Sequence, residues 1–247
     1  MLKYITLGVV QGLTEFLPVS SSGHLIIMQK LFGITEGGLV LPVVLHLGTS
    51  LALVVFFFQD ILEVFRNLKL LSFIIIATII TGIIGISGRD FFAGLFMLPR
   101  VVAMAWIFTG MILILTRKFM DGKRNTVGMK DALIFGLMQG LAIIPGISRS
   151  GITLSALLFR RIDREASFRF SFLASIPVVF GAALLEAKDI GLACKINLGN
   201  FAVGFIFSFF SGIVALGMLK IILRKAKLHY FGYYCIFVAI ITLLFIK

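Results

Sequence analysis

The sequence predicts an all-α integral membrane protein with six transmembrane helices and two re-entrant helical hairpins, related by an inverted-topology repeat. Three observations lead to this fold class. Of the 247 residues, 60% are hydrophobic and the mean hydropathy is +1.10, which exceeds what the core of a soluble domain needs. Six apolar segments are long enough to cross a bilayer. A segment of sixteen residues also occurs twice.

The six predicted spans each supply the roughly 20 apolar residues that a bilayer core of about 30 Å requires. They cover residues 39–58, 68–87, 98–116, 167–187, 200–223 and 229–246. Residues 4–17 and 131–144 are also apolar, but at about 1.5 Å per residue they are too short to cross. Each ends in Pro, Ser and Gly residues, and a second short apolar run follows. Broken backbone at membrane depth must be buried in protein or line a wet cavity, so 4–33 and 131–160 are predicted as re-entrant hairpins.

The two hairpins carry the repeated segment. Residues 8–23 align without gaps with residues 136–151, and seven of the sixteen positions are identical, against about one or two from composition alone. The halves of the chain, approximately 1–118 and 128–247, each contain one hairpin and three spans. Since three is odd, the second half enters from the opposite side, which makes the repeat inverted within a single membrane domain of residues 1–247.

Basic residues concentrate on the side that this topology assigns to the cytoplasm. The net charge is +12, and fifteen of the 23 Lys and Arg residues fall in the segments placed there, which are 59–69, 117–130, 160–169 and 220–228. The positive-inside rule accounts for this excess, so we expect membrane lipids and no nucleic acid as partners. The topology places both termini on the external side of the membrane. We also expect no cleavable signal peptide. Cys194 and Cys235 match no metal-binding or redox spacing.

Away from the ends of the predicted membrane segments, four Asp, Glu, His, Lys or Arg side chains remain: Glu15, His24, His46 and Arg149. Such residues cost about 2.5–3.5 kcal/mol each on insertion scales, so they are candidates for function. His46 is interpreted as a satisfied polar group, which a lone His in a membrane segment usually is. Glu15 and Arg149 fit either a functional site or a buried structural ion pair. His24 fits a structural or a catalytic role equally well.

The tips of the two hairpins have the composition of an anion site. Residues 18–23 and 145–151 each end one short helix and begin another. Two helix N-termini that converge near the membrane midplane suit phosphate, and Arg149 adds a planar fork of donors. Glu15 is placed to hold a divalent cation or to position a proton. The small residues also fit close helix packing. Hydroxyls for binding or attack come from Ser20, Ser21, Ser22, Ser148, Ser150 and Thr153.

These tips resemble the two signature motifs of the undecaprenyl-diphosphate phosphatase family, the bacitracin-resistance type. The first motif is Gln11-Gly-Leu-Thr-Glu15-Phe-Leu-Pro-Val-Ser-Ser-Ser-Gly-His24, and the second is Pro145-Gly-Ile-Ser-Arg-Ser-Gly-Ile-Thr153. The similarity extends to His46-Leu-Gly-Thr-Ser-Leu-Ala and to Arg164-Glu-Ala-Ser-Phe-Arg-Phe-Ser-Phe172. It covers essentially the whole chain.

The resemblance implies a membrane hydrolase that removes the terminal phosphate of a polyprenyl diphosphate lipid, undecaprenyl diphosphate. The product is the lipid carrier for peptidoglycan synthesis, and the family confers bacitracin resistance. The resemblance also implies a Mg²⁺ or Ca²⁺ cofactor, a location in the bacterial cytoplasmic (inner) membrane and a site open to the periplasm. The family's site falls on Gln11, Glu15, Ser21, His24, Ser148, Arg149 and Thr153. Because a neutral Gln11 is a weak ligand for a hard cation, the metal is expected to depend mainly on substrate phosphates and Glu15.

As a mechanism, Ser21 is expected to attack the terminal phosphoryl group or to orient a water, while His24 moves the proton and Arg149 neutralises charge. Gln11, Ser22, Ser148, Ser150 and Thr153 are the predicted substrate contacts. The competing function is transport, since a polyprenyl-phosphate flippase or anion transporter is built from similar broken helices. Such a carrier needs no nucleophile. The oligomeric state stays open, with a homodimer among the options.

Overall fold

A computed structural model of the chain describes residues 1–33, 40–96, 98–189 and 198–245. Cys194 lies outside the described residues. So do position 39, where the first predicted span begins, and position 246, where the last one ends. The described part of the chain is mainly helical, without a β-sheet. Its helices are α1 (Leu2–Phe16), α2 (Ser21–Phe32), α3 (Val40–Phe56), α4 (Phe58–Arg66), α5 (Leu68–Ser87), α6 (Arg89–Leu95), α7 (Pro99–Leu115), α8 (Met129–Leu141), α9 (Arg149–Phe159), α10 (Arg164–Asp189), α11 (Leu198–Arg224) and α12 (His229–Phe245).

The length of the helices identifies a multi-pass membrane protein. Among the described residues, four helices are long and apolar enough to cross a bilayer, namely Leu68–Ser87, Pro99–Phe119, Arg164–Leu185 and Leu198–Arg224. The predicted span 39–58 corresponds to α3, which turns by 68° into α4, and the number is five if this bent pair is one span. The predicted span 229–246 corresponds to α12, whose 17 residues reach about 26 Å, slightly less than a bilayer core.

After the bend that follows α3, α4 lies at the basic end of the bundle and is amphipathic. Its polar side pairs with Arg169 of α10 through Asp60 and Glu63. Its apolar side packs Ile61 and Val64 into the core. A helix with one charged side and one apolar side suits the plane of the membrane interface. This amphipathic pattern explains why α4 leaves the direction of α3.

Each predicted hairpin contains two short helices joined by a turn. The first turn, residues 17–20, links α1 to α2, and the second turn, residues 142–148, links α8 to α9. α1 packs on α11 and α8 packs on α5, so a long helix of the opposite half supports each hairpin. α7 packs against α12. These contacts hold both turns, with the predicted site residues, inside the helix bundle.

Gly8 permits the close approach of α1 to α11. A Cβ atom at this position would lie 2.5 Å from the carbonyl oxygen of Gly204. We expect Gly8→Ala to lower the melting temperature of the protein in detergent by several degrees, because the two helices must separate. Gly217→Ala in α11, where a Cβ meets nothing within 4 Å, is the matched control and should be neutral or slightly stabilising. Equal melting temperatures for the two variants would contradict this packing.

Candidate active site

The two hairpin turns touch each other inside the protein. The hydroxyl of Ser150, in the first turn of α9, donates to the carbonyl of Leu17 at 3.3 Å. A Cβ atom at Gly151 would lie 3.3 Å from the Cβ of Pro18, which leaves little room for a larger residue. The repeated Ser and Gly positions therefore place the tips of the two halves in direct contact.

Side chains from three helices satisfy the irregular backbone of the first turn. Besides the bond from Ser150, the carbonyl of Pro18 accepts from the thiol of Cys235 in α12 at 3.5 Å. The carbonyl of Val19 accepts from the indole N–H of Trp106 in α7 at 2.8 Å. Non-helical backbone at membrane depth persists where protein groups satisfy it in this way. Trp106 is the one Trp of the chain and is fully buried, yet its local sequence did not mark it as part of the site.

The second turn depends on a glycine and on the same helix, α7. Gly146 has a φ of +94°, in the left-handed region where side chains are disfavoured. Thr109 donates to the carbonyl of Gly146 at 3.3 Å and accepts from the N–H of Ser148 at 3.2 Å. Because Trp106 and Thr109 lie one helical turn apart, α7 braces both turns. No sequence pattern indicated Thr109, since its partners are backbone atoms of a distant segment.

Glu15 is the centre of the polar contacts between the two turns. One of its oxygens pairs with the guanidinium of Arg149. The other accepts from the hydroxyl of Ser21 at 2.6 Å and from the amide of Gln11 at 3.2 Å. His46 Nδ1 lies 3.5 Å from the same oxygen. The structure therefore brings a carboxylate and a guanidinium together from opposite repeats, with a hydroxyl directly on the carboxylate.

His46 has a more specific environment than the sequence indicated. Its Nδ1 is 3.0 Å from the amide nitrogen of Gln11. An amide nitrogen donates, so Nδ1 is the acceptor in this arrangement. The interpretation of His46 as a satisfied polar group is compatible with these contacts, but the ring also belongs to the cavity wall.

The start of α2 presents backbone N–H groups beside Ser21. Ser20, the N-cap residue, has a φ of +65°, a conformation that costs a residue other than Gly about 1–3 kcal/mol. Among the described residues, no side chain caps α2. In contrast, the hydroxyl of Ser148 accepts from the N–H of Gly151 at 3.2 Å and caps α9. The N-terminus of α2 is therefore the one better prepared for an anion.

A cavity of about 220 Å³ lies where the two turns meet. Gln139 of α8, which the repeat aligns with Gln11, is a polar residue of the cavity wall. Its amide nitrogen donates to Thr81 of α5 at 3.2 Å, and its Oε1 has no hydrogen-bond partner within the described ranges. Apolar residues of α10 form the opposite wall. The predicted site residues in the wall are Glu15, Ser20, Ser21, Ser22, Ser148 and Arg149.

The structure does not bring His24 to Ser21. Its Nδ1 lies 2.7 Å from the carbonyl oxygen of Ser20, and its Nε2 lies 2.8 Å from the hydroxyl of Tyr234 in α12. Since a carbonyl only accepts, Nδ1 carries the proton and Nε2 accepts from the tyrosine. The two rings also stack, with centroids 5.7 Å apart. In this arrangement His24 braces the first turn against α12, and the contact with Ser21 is made by Glu15.

Thr153 lies behind Arg149 rather than beside Glu15. Its hydroxyl donates to the carbonyl of Arg149 at 2.7 Å and accepts from Ser171 of α10, 2.8 Å away. It is 1% exposed. These bonds tie the first turn of α9 to α10, so Thr153 supports the position of the guanidinium in this structure.

The donor atoms at the site fit a hard cation only if a ligand completes its shell. No group of three or more His, Cys, Asp and Glu side chains among the described residues is arranged to hold a metal. Glu15 is the one carboxylate that a described residue contributes to the cavity wall. Beside it, Oε1 of Gln11 is buried and has no donor in the described part of the chain. One carboxylate and one amide oxygen suit Mg²⁺ or Ca²⁺ when phosphate oxygens and water supply the other ligands.

Together, the fold and the site define an integral membrane protein with a polar cavity inside it, in which a carboxylate binds both a serine hydroxyl and a guanidinium. A family model described as Bacitracin resistance protein BacA matches residues 4–241. The chain is 44% identical over 251 residues to the undecaprenyl-diphosphatase of Halothermothrix orenii, with 98% of this chain and 96% of that protein covered. It is 42% identical to the undecaprenyl-diphosphatase of Carboxydothermus hydrogenoformans, over 93% of this chain and 91% of that protein.

A third undecaprenyl-diphosphatase, from Alkaliphilus metalliredigens, is 40% identical over 98% of both chains. The chain belongs to the BacA family of bacitracin resistance proteins. This confirms the resemblance seen in the two signature motifs.

Proposed function

We propose that this chain hydrolyses undecaprenyl diphosphate to undecaprenyl phosphate and inorganic phosphate. The observation that carries the proposal is the 2.6 Å hydrogen bond from Ser21 to Glu15, with Arg149 on the other carboxylate oxygen. A hydroxyl on a carboxylate base, beside a guanidinium and helix N–H groups, is arranged for attack on a phosphoryl group. The product is the lipid carrier for peptidoglycan synthesis, and its regeneration accounts for bacitracin resistance.

In the proposed reaction, the terminal phosphoryl group lies against the N-terminus of α2 and the guanidinium of Arg149. As the Oγ of Ser21 bonds to phosphorus, its proton passes to Glu15 and the bond to the bridging oxygen breaks. Glu15 gives that proton to the departing undecaprenyl phosphate. Water then attacks the phosphoserine and loses a proton to Glu15, which returns it to the Oγ of Ser21 as inorganic phosphate leaves. Glu15 carries the proton in this scheme because it touches Ser21, whereas His24 does not.

Phosphate release from undecaprenyl diphosphate by the purified protein in detergent tests this function. A flippase or anion transporter moves its ligand without breaking the phosphoanhydride bond, so it would release no phosphate in this assay. We expect steady release by the wild-type protein and a near-complete loss for Glu15→Gln, which removes the base but keeps the shape of the side chain. Release by the wild type no faster than by Glu15→Gln would favour the transporter.

A bound Mg²⁺ or Ca²⁺ would neutralise charge on the diphosphate, and we propose that Glu15 and Gln11 hold it together with substrate oxygens. We expect a chelator to lower phosphate release at least about tenfold, and added Mg²⁺ or Ca²⁺ to restore it. Because the protein offers one carboxylate, calorimetry without substrate should show binding of the metal alone no tighter than about millimolar. Full activity in chelator would contradict this, and so would tight binding without substrate.

We further propose that the chain forms a six-span inverted repeat with two re-entrant hairpins in the bacterial cytoplasmic membrane, with the cavity open to the external side. The reciprocal packing of α1 on α11 and of α8 on α5 supports the repeat. Phe96, which lies between α6 and α7 in a segment assigned to the outside, lines the cavity and supports its external opening. The distribution of basic residues supports the same orientation.

Cysteine labelling of intact cells tests this orientation. In a Cys194→Ser background, with the buried Cys235 left in place, Lys30→Cys should react with a membrane-impermeant maleimide added outside. Lys118→Cys should react only after the membrane is permeabilised. Both positions are exposed on the protein. Labelling of both from the same side would contradict the proposed topology.

A further inference from the structure

An apolar groove of about 300 Å³ runs along the outside of the bundle between α4, α5 and α10. Its walls include Val64 of α4, Leu71 and Ile75 of α5, and Ile176 of α10. One hydroxyl, that of Thr78, reaches the wall, and it donates to the carbonyl of Ile74 at 2.8 Å. The groove wall is therefore almost entirely apolar, with the one hydroxyl hydrogen already used, and it suits a hydrocarbon chain.

The groove and the polar cavity are lined by neighbouring residues of the same two helices. On α5, Thr78 lines the groove and Thr81, one turn further, lines the cavity. On α10, Pro177 lines the groove and the next residue, Val178, lines the cavity. The cavity and the groove therefore lie next to each other along α5 and α10, so a chain attached to a diphosphate head in the cavity would have a short way to the groove.

The groove lies on the basic side of the site. α5 begins at Leu68, next to Lys69, and α10 begins at Arg164, so the ends of the groove helices carry charges assigned to the cytoplasm. A lipid of the external leaflet has its head towards the outside and its chain pointing inward across the membrane. The direction from the cavity to the groove is the direction of such a chain.

We propose that this groove, between α5 and α10, binds the polyprenyl chain of the substrate next to its diphosphate head. The inference rests on the proposed phosphatase site and adds the element that selects a long chain. Lipid surrounding the protein is as apolar as the groove, so the groove acts through the fit of its walls to the chain rather than through exclusion of water. Filling it should therefore weaken the binding of long-chain substrates and leave the chemical step intact.

Ile75→Trp tests the proposal, because Ile75 is 47% exposed at the rim of the groove and lies about 9 Å along α5 from Thr81. The Michaelis constant for undecaprenyl diphosphate in detergent should rise about tenfold with little change in kcat. Hydrolysis of dimethylallyl diphosphate, whose single isoprene unit ends before Ile75, should stay within about twofold and also reports on folding of the variant. Ile240→Trp, at a position on α12 that is 49% exposed, is the matched control and should behave as wild type.

Ile75→Trp could leave the Michaelis constant for the long substrate unchanged while it hydrolyses the short substrate normally. That result would contradict chain binding in the groove without affecting the proposed phosphatase function. If the wild-type protein hydrolysed neither substrate, the proposed phosphatase function itself would be contradicted. A second measurement does not depend on variants. A polyprenyl diphosphate with a diazirine in its chain, photolysed on wild-type protein, should label peptides of α5 and α10. Labelling confined to α11 and α12 would overturn the proposal.

Discussion

Arg149→Ala should lower phosphate release from undecaprenyl diphosphate at least about a thousandfold, which is the scale of losing an arginine that stabilises a phosphoryl transition state. The guanidinium is 16% exposed, pairs with Glu15 and lines the cavity, so a phosphate in the cavity could replace or join the carboxylate as its partner. Alanine removes the donors that neutralise the developing charge. It also leaves the buried carboxylate of Glu15 without its positively charged partner.

The second effect must be separated from the first, because an unpaired buried charge costs about 3–5 kcal/mol of stability. Arg149→Lys is the matched control. It keeps the positive charge beside Glu15 but loses the planar fork, so it should keep a near-normal melting temperature while releasing phosphate much more slowly than wild type. Near-normal turnover of Arg149→Ala would mean that Glu15 and Arg149 form only a structural ion pair, and near-normal turnover of Arg149→Lys would mean that the planar fork is not needed.

Ser21→Ala should lower phosphate release by a similar factor, about a thousandfold or more, because it removes the atom that we propose attacks phosphorus. Its neighbour supplies the control. Ser22 also begins α2 and lines the cavity, but its hydroxyl contacts Ser20 at 3.2 Å instead of Glu15. Ser22→Ala should therefore retain activity within about tenfold of wild type, the scale of one lost neutral hydrogen bond.

The covalent step has its own readout. Rapid acid quenching of the wild-type protein with substrate labelled in the terminal phosphate should trap label on the peptide that contains Ser21, and Ser21→Ala should trap none. If Ser21→Ala keeps most of its activity, or if label appears on a His, the serine is not the nucleophile. Water attack oriented by Ser21 would give the loss of rate without any trapped label.

The sequence predicted helices more reliably than the bends between them. The span at 68–87 coincides with α5, because one continuous apolar run is bounded by Asn67 and Gly88. The amphipathic pattern that begins at Gln59 is visible in the sequence, but the position of the bend was not predictable, because the apolar run continues through Phe57. In the structure the ring of Phe57 stacks on Phe172 of α10, with centroids 5.9 Å apart, and this distant contact accompanies the change of direction.

The repeat was the strongest signal for the site. It placed Glu15 and Ser21 at one tip and Arg149 at the other, and the structure brings these three together. The supporting residues had no such signal. Trp106 binds a backbone carbonyl 87 positions away, and the partner of His24 is a tyrosine 210 positions away. Local patterns carry no information about contacts of this kind, so the orientation of His24 required the folded chain.

The central claim is that the two hairpin turns jointly bind the diphosphate head of the lipid. The most direct measurement is an experimental structure with an undecaprenyl methylene-bisphosphonate, in which carbon replaces the bridging oxygen and prevents hydrolysis. We predict that the terminal phosphonate lies within about 3 Å of both the hydroxyl of Ser21 and the guanidinium of Arg149. A head group that contacts one hairpin only, or that lies at the membrane surface with the Glu15–Arg149 pair undisturbed, would contradict it.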